Sequence, residues 1–228
     1  FPKQFSWNNY KSLCKDFNVQ KLLGNSMIYS CVTTLACLFF STIIGYGFAK
    51  FRSRIMDFCF GLILTSLMVP FFSRLIPLYI AMVKINGNNT FWGLILPNYL
   101  SVFGIYFMRQ YCLTVPDELI DAARIDGASE IQILFKVVFS LMKSACATLA
   151  VIKFIDTWND FLWPLVMTTT KEKMMFPIAL ATYIDSTTMT RFGPILAGGI
   201  IMLLPVTILF LILQKQVVES IAMSGFKS

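Results

Sequence analysis

Histidine is absent from all 228 residues, which removes the usual zinc ligand and the commonest general base. No Gly-x-x-x-x-Gly-Lys phosphate loop occurs and no nucleophile stands beside a base, so an enzyme is not expected. Any ATP used with this chain is hydrolysed on a separate one. Charge is scarce too, at 14% Asp, Glu, Lys and Arg against about 25% in an ordinary soluble domain. Acids are the scarcer sign, 12 against 19 bases. The resulting +7 forms no continuous stripe, because the bases are scattered between apolar runs, so membrane-edge anchoring fits better than nucleic acid. Cys14, Cys31, Cys37, Cys59, Cys112 and Cys146 lack paired spacing, and five lie in or beside apolar segments where a thiol packs as a small hydrophobe. Neither a disulfide nor a metal site is expected.

What the chain has in excess is apolar surface: 57% of its residues are hydrophobic and the mean hydropathy is +0.70. At about 20 residues per spanning helix, this length holds five or six spans. The fold class expected is an all-α polytopic membrane protein, a helical bundle forming one domain over residues 1–228. Hydropathy marks spans at 27–49, 58–83, 92–111, 144–168 and 194–213. Pro70 and Pro77 predict a kink or break in the second, since each removes a helix donor and disfavours α geometry just before it. Lys50, Arg52 and Arg54 crowd a short loop, which assigns that side, with Arg109, Arg124, Lys136, Lys143, Lys215 and Lys227, to the cytoplasm. Residues 1–26 are then extracytoplasmic, 112–143 a cytoplasmic loop and 214–228 a cytoplasmic tail. The opening Phe1–Trp7 has no initiator Met and no apolar core. An upstream span would deliver residues 1–26 outside, so five spans of a six-span parent are expected.

Within the 112–143 loop, Thr114 can cap a helix whose first turn holds Pro116, Asp117 and Glu118, with the acids at the positive dipole end. That helix should run to Asp126 and stop at Gly127, where the left-handed conformation costs nothing. Ser129 and Gln132 then read as a capping box opening a second helix. Ala122 and Ala123 leave room for another surface to approach. The unit is either a docking shape or an interfacial helix pair that covers the bundle.

In the fourth span, Lys153, Asp156 and Asp160 recur at helical spacing with Asn159 at the edge of the same face. Unpaired, each charge would cost roughly 2.5–3.5 kcal/mol at mid-membrane, so a Lys153–Asp156 pair is expected. The stripe either packs against a partner subunit or lines a polar path. In the second case Trp158, Phe161 and Trp163 could supply rings for a sugar. Arg74 is expected to snorkel, and Trp7, Trp92 and Trp163 suit the role of interface anchors equally well.

Asp121, Ala122, Ala123 and Gly127 match the EAA loop of ABC transporter permeases, with Asp where the motif is named for Glu. Val137-Val138-Phe139-Ser140 stands where that family usually has Ile-x-Leu-Pro. Asn25-Ser26, Ile76-Pro77-Leu78-Tyr79, Asn89-Thr90-Phe91-Trp92-Gly93, Arg109-Gln110, Trp158-Asn159-Asp160-Phe161 and Ser224-Gly225-Phe226-Lys227 extend the likeness along nearly the whole chain. The chain thus resembles maltose-type permease subunits of binding-protein-dependent carbohydrate importers. The resemblance implies a multi-pass protein of a prokaryotic cell membrane, forming half of a translocation path for a sugar or oligosaccharide. It also implies three kinds of partner: a second permease subunit, a cytoplasmic ATPase dimer and an extracytoplasmic sugar-binding protein. ATP and Mg would sit on the ATPase, with no cofactor on this chain. Asp121, Ala122, Ala123, Arg124, Asp126, Gly127 and Ser129 would form the ATPase-coupling loop, with Gly127 as pivot. Gly225, Phe226 and Lys227 would lie in a tail toward the ATPase or simply fray. Two alternatives remain: an ABC permease for another solute, or a secondary transporter using Lys153, Asp156 and Asp160 as an ion relay.

Overall fold

The computed structural model describes the backbone of residues 6–51, 53–184 and 191–225, and their side chains up to residue 218. Thirteen α-helices appear among the described residues, with no strand. The long second helix, α2 (Val19–Lys50), opens where the Asn18 side chain accepts from the Lys21 amide. Its 32 residues make a rod of about 48 Å. It therefore begins earlier than hydropathy places it and exceeds the hydrocarbon thickness of about 30 Å. The short α1 (Asn8–Asp16) precedes it.

The expected break in the second apolar run falls at Pro70. Helix α3 (Arg54–Thr65) ends in a tight 3-10 turn, and α4 (Phe71–Lys84) starts with Pro70 as its N-cap, 103° away from α3. Pro77 sits inside α4 without interrupting it. The expected single helix over 92–111 does not form. Its place is taken by α5 (Phe91–Ile95) and α6 (Val102–Cys112), with Pro97, which has no amide to donate, between them. Residues 144–168 likewise split, into α10 (Lys143–Trp158) and α11 (Leu162–Met167). The 112–143 segment supplies α7 (Asp117–Ile125), α8 (Glu130–Gln132) and α9 (Phe139–Leu141), and α12 (Phe176–Ala181) leads to the last helix, α13 (Phe192–Gly225). By length and composition, Val19–Lys50 and Phe192–Val218 can each cross a membrane. The bent pairs 54–84 and 130–158 meet the same test jointly, giving two to four candidate spans where the hydropathy reading counts five.

The core lies between α2, α6, α10 and α13. Small residues set the α2–α6 spacing: a Cβ at Gly45 would sit 2.8 Å from the Arg109 amide and 2.9 Å from the Met108 Cβ. At the opposite end of α2, Asn25 Nδ2 donates to the Glu172 and Met174 carbonyls at 2.9 Å each, and the Phe176 amide donates to Ser26 Oγ at 2.9 Å. The Asn25-Ser26 motif is therefore a clamp on the chain entering α12. Nearby, α1 buries Leu13 against Phe176 and Tyr183. Its last residue, Asp16, accepts from Tyr183 Oη at 2.9 Å and from Arg191 Nη1 at 2.8 Å. Those two donors, the tyrosine bond first, hold the Asp16 carboxyl below its ordinary pKa.

Two consequences can be measured. Gly45→Ala should destabilise the purified protein by about 1–3 kcal/mol through forced separation of α2 and α6. Gly24→Ala, on the same helix with nothing within 4 Å, should instead stabilise by about 0.5–1 kcal/mol from helix propensity; equal thermal shifts for the two would reject the close-packing account. Second, because the folded Asp16 pKa is depressed, the clasp contributes fully above the unfolded value of about 3.9 and is lost as pH falls through the folded value. Asp16→Asn should flatten the acid limb of the stability–pH profile, and superimposable profiles would refute the clasp.

Candidate functional site

Two regions hold the chemistry that the sequence singles out. The first is the helix–turn–helix after α6. Thr114 does not cap α7: its hydroxyl turns back to donate to the Tyr111 carbonyl at 2.8 Å, and Pro116 occupies the cap position. At the other end Asp126 is the C-cap and Gly127 takes φ +80°. The Gly127 amide donates to Arg124 O and the Ala128 amide to Ala123 O, both at 3.0 Å. This is a Schellman closure, which needs a left-handed residue at the position Gly127 fills. The capping box is present, Gln132 N donating to Ser129 Oγ at 3.4 Å and Ser129 N to Gln132 Oε1 at 2.8 Å.

Helix α8 then widens into a π segment, Ile133–Val138, before α9. An 81° bend separates this arm from α10 even though Ser140 stands where a proline would. The bend is made by Met142, whose φ of −102° and ψ of 19° leave the helical region. Its side chain is buried, with Cys112 Sγ 3.3 Å from Met142 Sδ. On the loop surface Asp121, Ala122, Arg124, Asp126, Gly127 and Ser129 are exposed, and Ala123 is half-buried against the core. Ile125 and Ile131 project almost bare, at 87% and 70% exposure. Arg124 bonds Asp121 Oδ1 at 2.9 Å and Glu130 Oε1 at 2.8 Å.

The second region is a cleft of about 1160 Å³ between the α3–α4 bend, the Pro97–Phe103 segment and the end of α10. Lys153 is buried and its ammonium donates to the exposed Asp156 carboxylate at 2.8 Å. Asn159 donates to the Ile155 carbonyl at 3.0 Å. Asp160 is not on the same helix face as expected, because α10 ends at Trp158. Past that end its carboxylate accepts from Tyr29 Oη at 2.8 Å, and Asn98 Nδ2 donates to the same tyrosine oxygen at 3.0 Å. Lys153, Asp156, Asn159 and Asp160 thus all line one cleft. Two of the three candidate rings do not: Trp158 and Trp163 are buried, their indole N–H groups donating to Met202 O at 3.0 Å and Leu94 O at 3.2 Å. Phe161 remains at the cleft wall, as does Arg74, whose guanidinium lies 5.6 Å from the Phe71 ring centre. Gly225 is the last residue of α13, and Phe226 and Lys227 lie outside the described residues.

Residues 39–222 match the family described as "Binding-protein-dependent transport system inner membrane component". The chain belongs to that family. It is a multi-pass inner-membrane permease subunit of an ABC importer, without a catalytic role or cofactor of its own; ATP hydrolysis and solute capture fall to separate ATPase and binding-protein partners. This membership displaces the ion-relay reading. The permease is 34% identical over 227 residues to the arabinooligosaccharides transport system permease protein of Bacillus subtilis (strain 168), covering 99% of this chain and 80% of that one. It is 33% identical to the lactose transport system permease protein of Rhizobium radiobacter, over 93% of this chain and 78% of the other. With the sn-glycerol-3-phosphate transport system permease protein of Yersinia enterocolitica it shares 30% identity, over 88% and 72%. Its fold is that of a bacterial ABC transporter for the acidic polysaccharide alginate, with TM-score 0.82 at 24% identity, covering 94% of this chain and 81% of that one.

Tyr29, Asn98 and Tyr46 went unnoticed in the sequence, while Lys50 read only as a topology signal and Glu130 only as part of the capping box. A tyrosine in an apolar helix reads as packing until the partner of its hydroxyl is seen, and these partners lie far away in the chain. Tyr29 is 131 residues from Asp160, and Tyr46 is 84 from Glu130.

Proposed function

We propose that the importer to which this permease contributes carries an uncharged sugar or oligosaccharide. The observation behind this is the charge balance of the cleft wall: Lys153 pairs with Asp156, and the two other charged residues that line it, Arg74 and Asp160, are of opposite sign. A path for a phosphate or uronate would need surplus cation, which this wall lacks. Asn98, Asn159 and the free faces of the carboxylates instead offer donors and acceptors suited to hydroxyls, with Phe161 as an apolar face. Two relatives named for arabinooligosaccharides and lactose support a neutral solute. A second permease subunit completes the path and an extracytoplasmic sugar-binding protein supplies it. Helix α7 docks on the ATPase dimer through Asp121, Ala122 and Ala123, flanked by the bare Ile125 and Ile131, and Gly127 lets the two arms turn together.

Asp156→Asn keeps an oxygen for Lys153 to bond but removes the balancing charge. Sugar uptake by the assembled importer should fall about tenfold, the size expected for weakening one charged hydrogen bond; unaltered uptake rejects the substrate-path role. For the pivot, Gly127→Leu forces a branched residue to φ +80°, at roughly 1–2 kcal/mol, while its Cβ meets nothing within 4 Å. Transport should be lost with Gly127→Leu and largely kept with Gly127→Asn, which tolerates that conformation. Equal uptake by both variants would remove the pivot.

A further inference from the structure

The coupling loop is joined covalently to α6 and α10, yet the polar bonds it makes run mainly to α2. Lys50, on the last turn of α2 with its side chain 5% exposed, donates to the Val115 carbonyl at 2.7 Å and pairs with Asp117 Oδ1 at 2.6 Å, gripping the entry to α7. One turn earlier on α2, the buried Tyr46 donates to Glu130 Oε2 at 2.9 Å. The other oxygen of Glu130 takes the Arg124 guanidinium at 2.8 Å. Glu130 therefore bonds both arms of the turn around Gly127 and ties them to α2. Beside these bonds lies a gap of about 340 Å³ lined by Ala49, Lys50, Asp117, Ile120, Asp121 and Arg124. These directed polar bonds add to the apolar packing of Tyr46 and Ala49 of α2 with Ile120, Ile133 and Leu134 of the loop.

The far half of the same helix holds Tyr29, whose hydroxyl bonds Asp160 and Asn98 at the cleft. Tyr29 and Tyr46 are separated by about 26 Å of unbroken helix. We propose that Tyr46, Lys50 and Glu130 are positioning residues that make α2 the push-rod of the importer. A displacement of the loop moves α2 along its axis and, through Tyr29, shifts the Asp160–Asn98 side of the cleft. This route is additional to the covalent one into α10, and it rests on α7 docking against the ATPase.

The test uses the whole importer reconstituted in vesicles, with both permeases, the ATPase and the binding protein, and reads solute imported per ATP hydrolysed. Tyr46→Phe and Glu130→Ala, which each delete the Tyr46–Glu130 bond, should each lower uptake about tenfold. Binding-protein-stimulated hydrolysis should change by less than about twofold, so the ratio collapses. The double variant should be no worse than the poorer single one, because both remove one bond. Unchanged uptake in Tyr46→Phe overturns the proposal, as does a fall in uptake and hydrolysis in step with the amount of assembled complex. A parallel arm separates this from the docking assumption: Ala123→Cys should cross-link to cysteines placed on the ATPase. A cross-link alongside an unaffected Tyr46→Phe defeats the push-rod alone, and its absence defeats the docking and the push-rod together.

Discussion

A polar side chain inside an apolar bundle must find its partner within the protein, because neither lipid nor packed side chains will solvate it. Along α2 that requirement is met at Asn25, Tyr29, Tyr46 and Lys50, whereas the buried hydroxyls of Ser30, Thr33 and Thr34 have no hydrogen-bond partner among the described residues. The Asn25 amide satisfies two carbonyls of the segment entering α12, Tyr29 satisfies Asp160, and Tyr46 and Lys50 satisfy the loop. Each bond is also a positional constraint. One continuous helix thereby fixes the Asn25-Ser26 clamp, the cleft wall and the 112–143 loop in a single frame.

Satisfaction also explains where helices stop. Pro70, Pro97 and the Asn159–Phe161 turn interrupt apolar runs that hydropathy alone joins up. At two of these breaks the freed or neighbouring groups are used by the cleft: Asn98 bonds Tyr29 just after Pro97, and Asp160 does so just after α10 ends. Irregular backbone at membrane depth is tolerated where it lines a cavity rather than lipid. The cleft is accordingly bordered by three breaks, at the α3–α4 bend, at Pro97 and at the end of α10.

The local chemistry of the loop was legible in the sequence because its causes are local. A glycine at the left-handed position and a capping box four residues long need only near neighbours, as does the i,i+3 Lys153–Asp156 pair in α10. Contacts spanning a hundred residues were not legible, since no periodicity reports them. Hydropathy recognised the apolar mass correctly but averaged over Pro97, so it drew one helix across 92–111 where there are two. The rings misled for the same reason: Trp158 and Trp163 sit beside the polar stripe in sequence, yet their N–H groups are taken by carbonyls of distant elements.

Ser140 sharpens the point about local and global causes. The resemblance leads one to expect a proline-driven bend after the second loop helix, and the chain bends by 81° without one. A proline would act by deleting a hydrogen bond. Here the backbone is instead loosened over the π segment Ile133–Val138 and turned at Met142, while Met142 N still donates to Val138 O at 3.0 Å and Cys146 N to Met142 O at 2.9 Å. Burial of Ile133, Leu134, Val138 and Met142 in one cluster with Tyr46, Ala49 and Ile120 holds the angle. The bend is thus a property of tertiary packing against α2 and α7, so the orientation of α10 relative to the loop depends on the helix that also carries Tyr46 and Lys50.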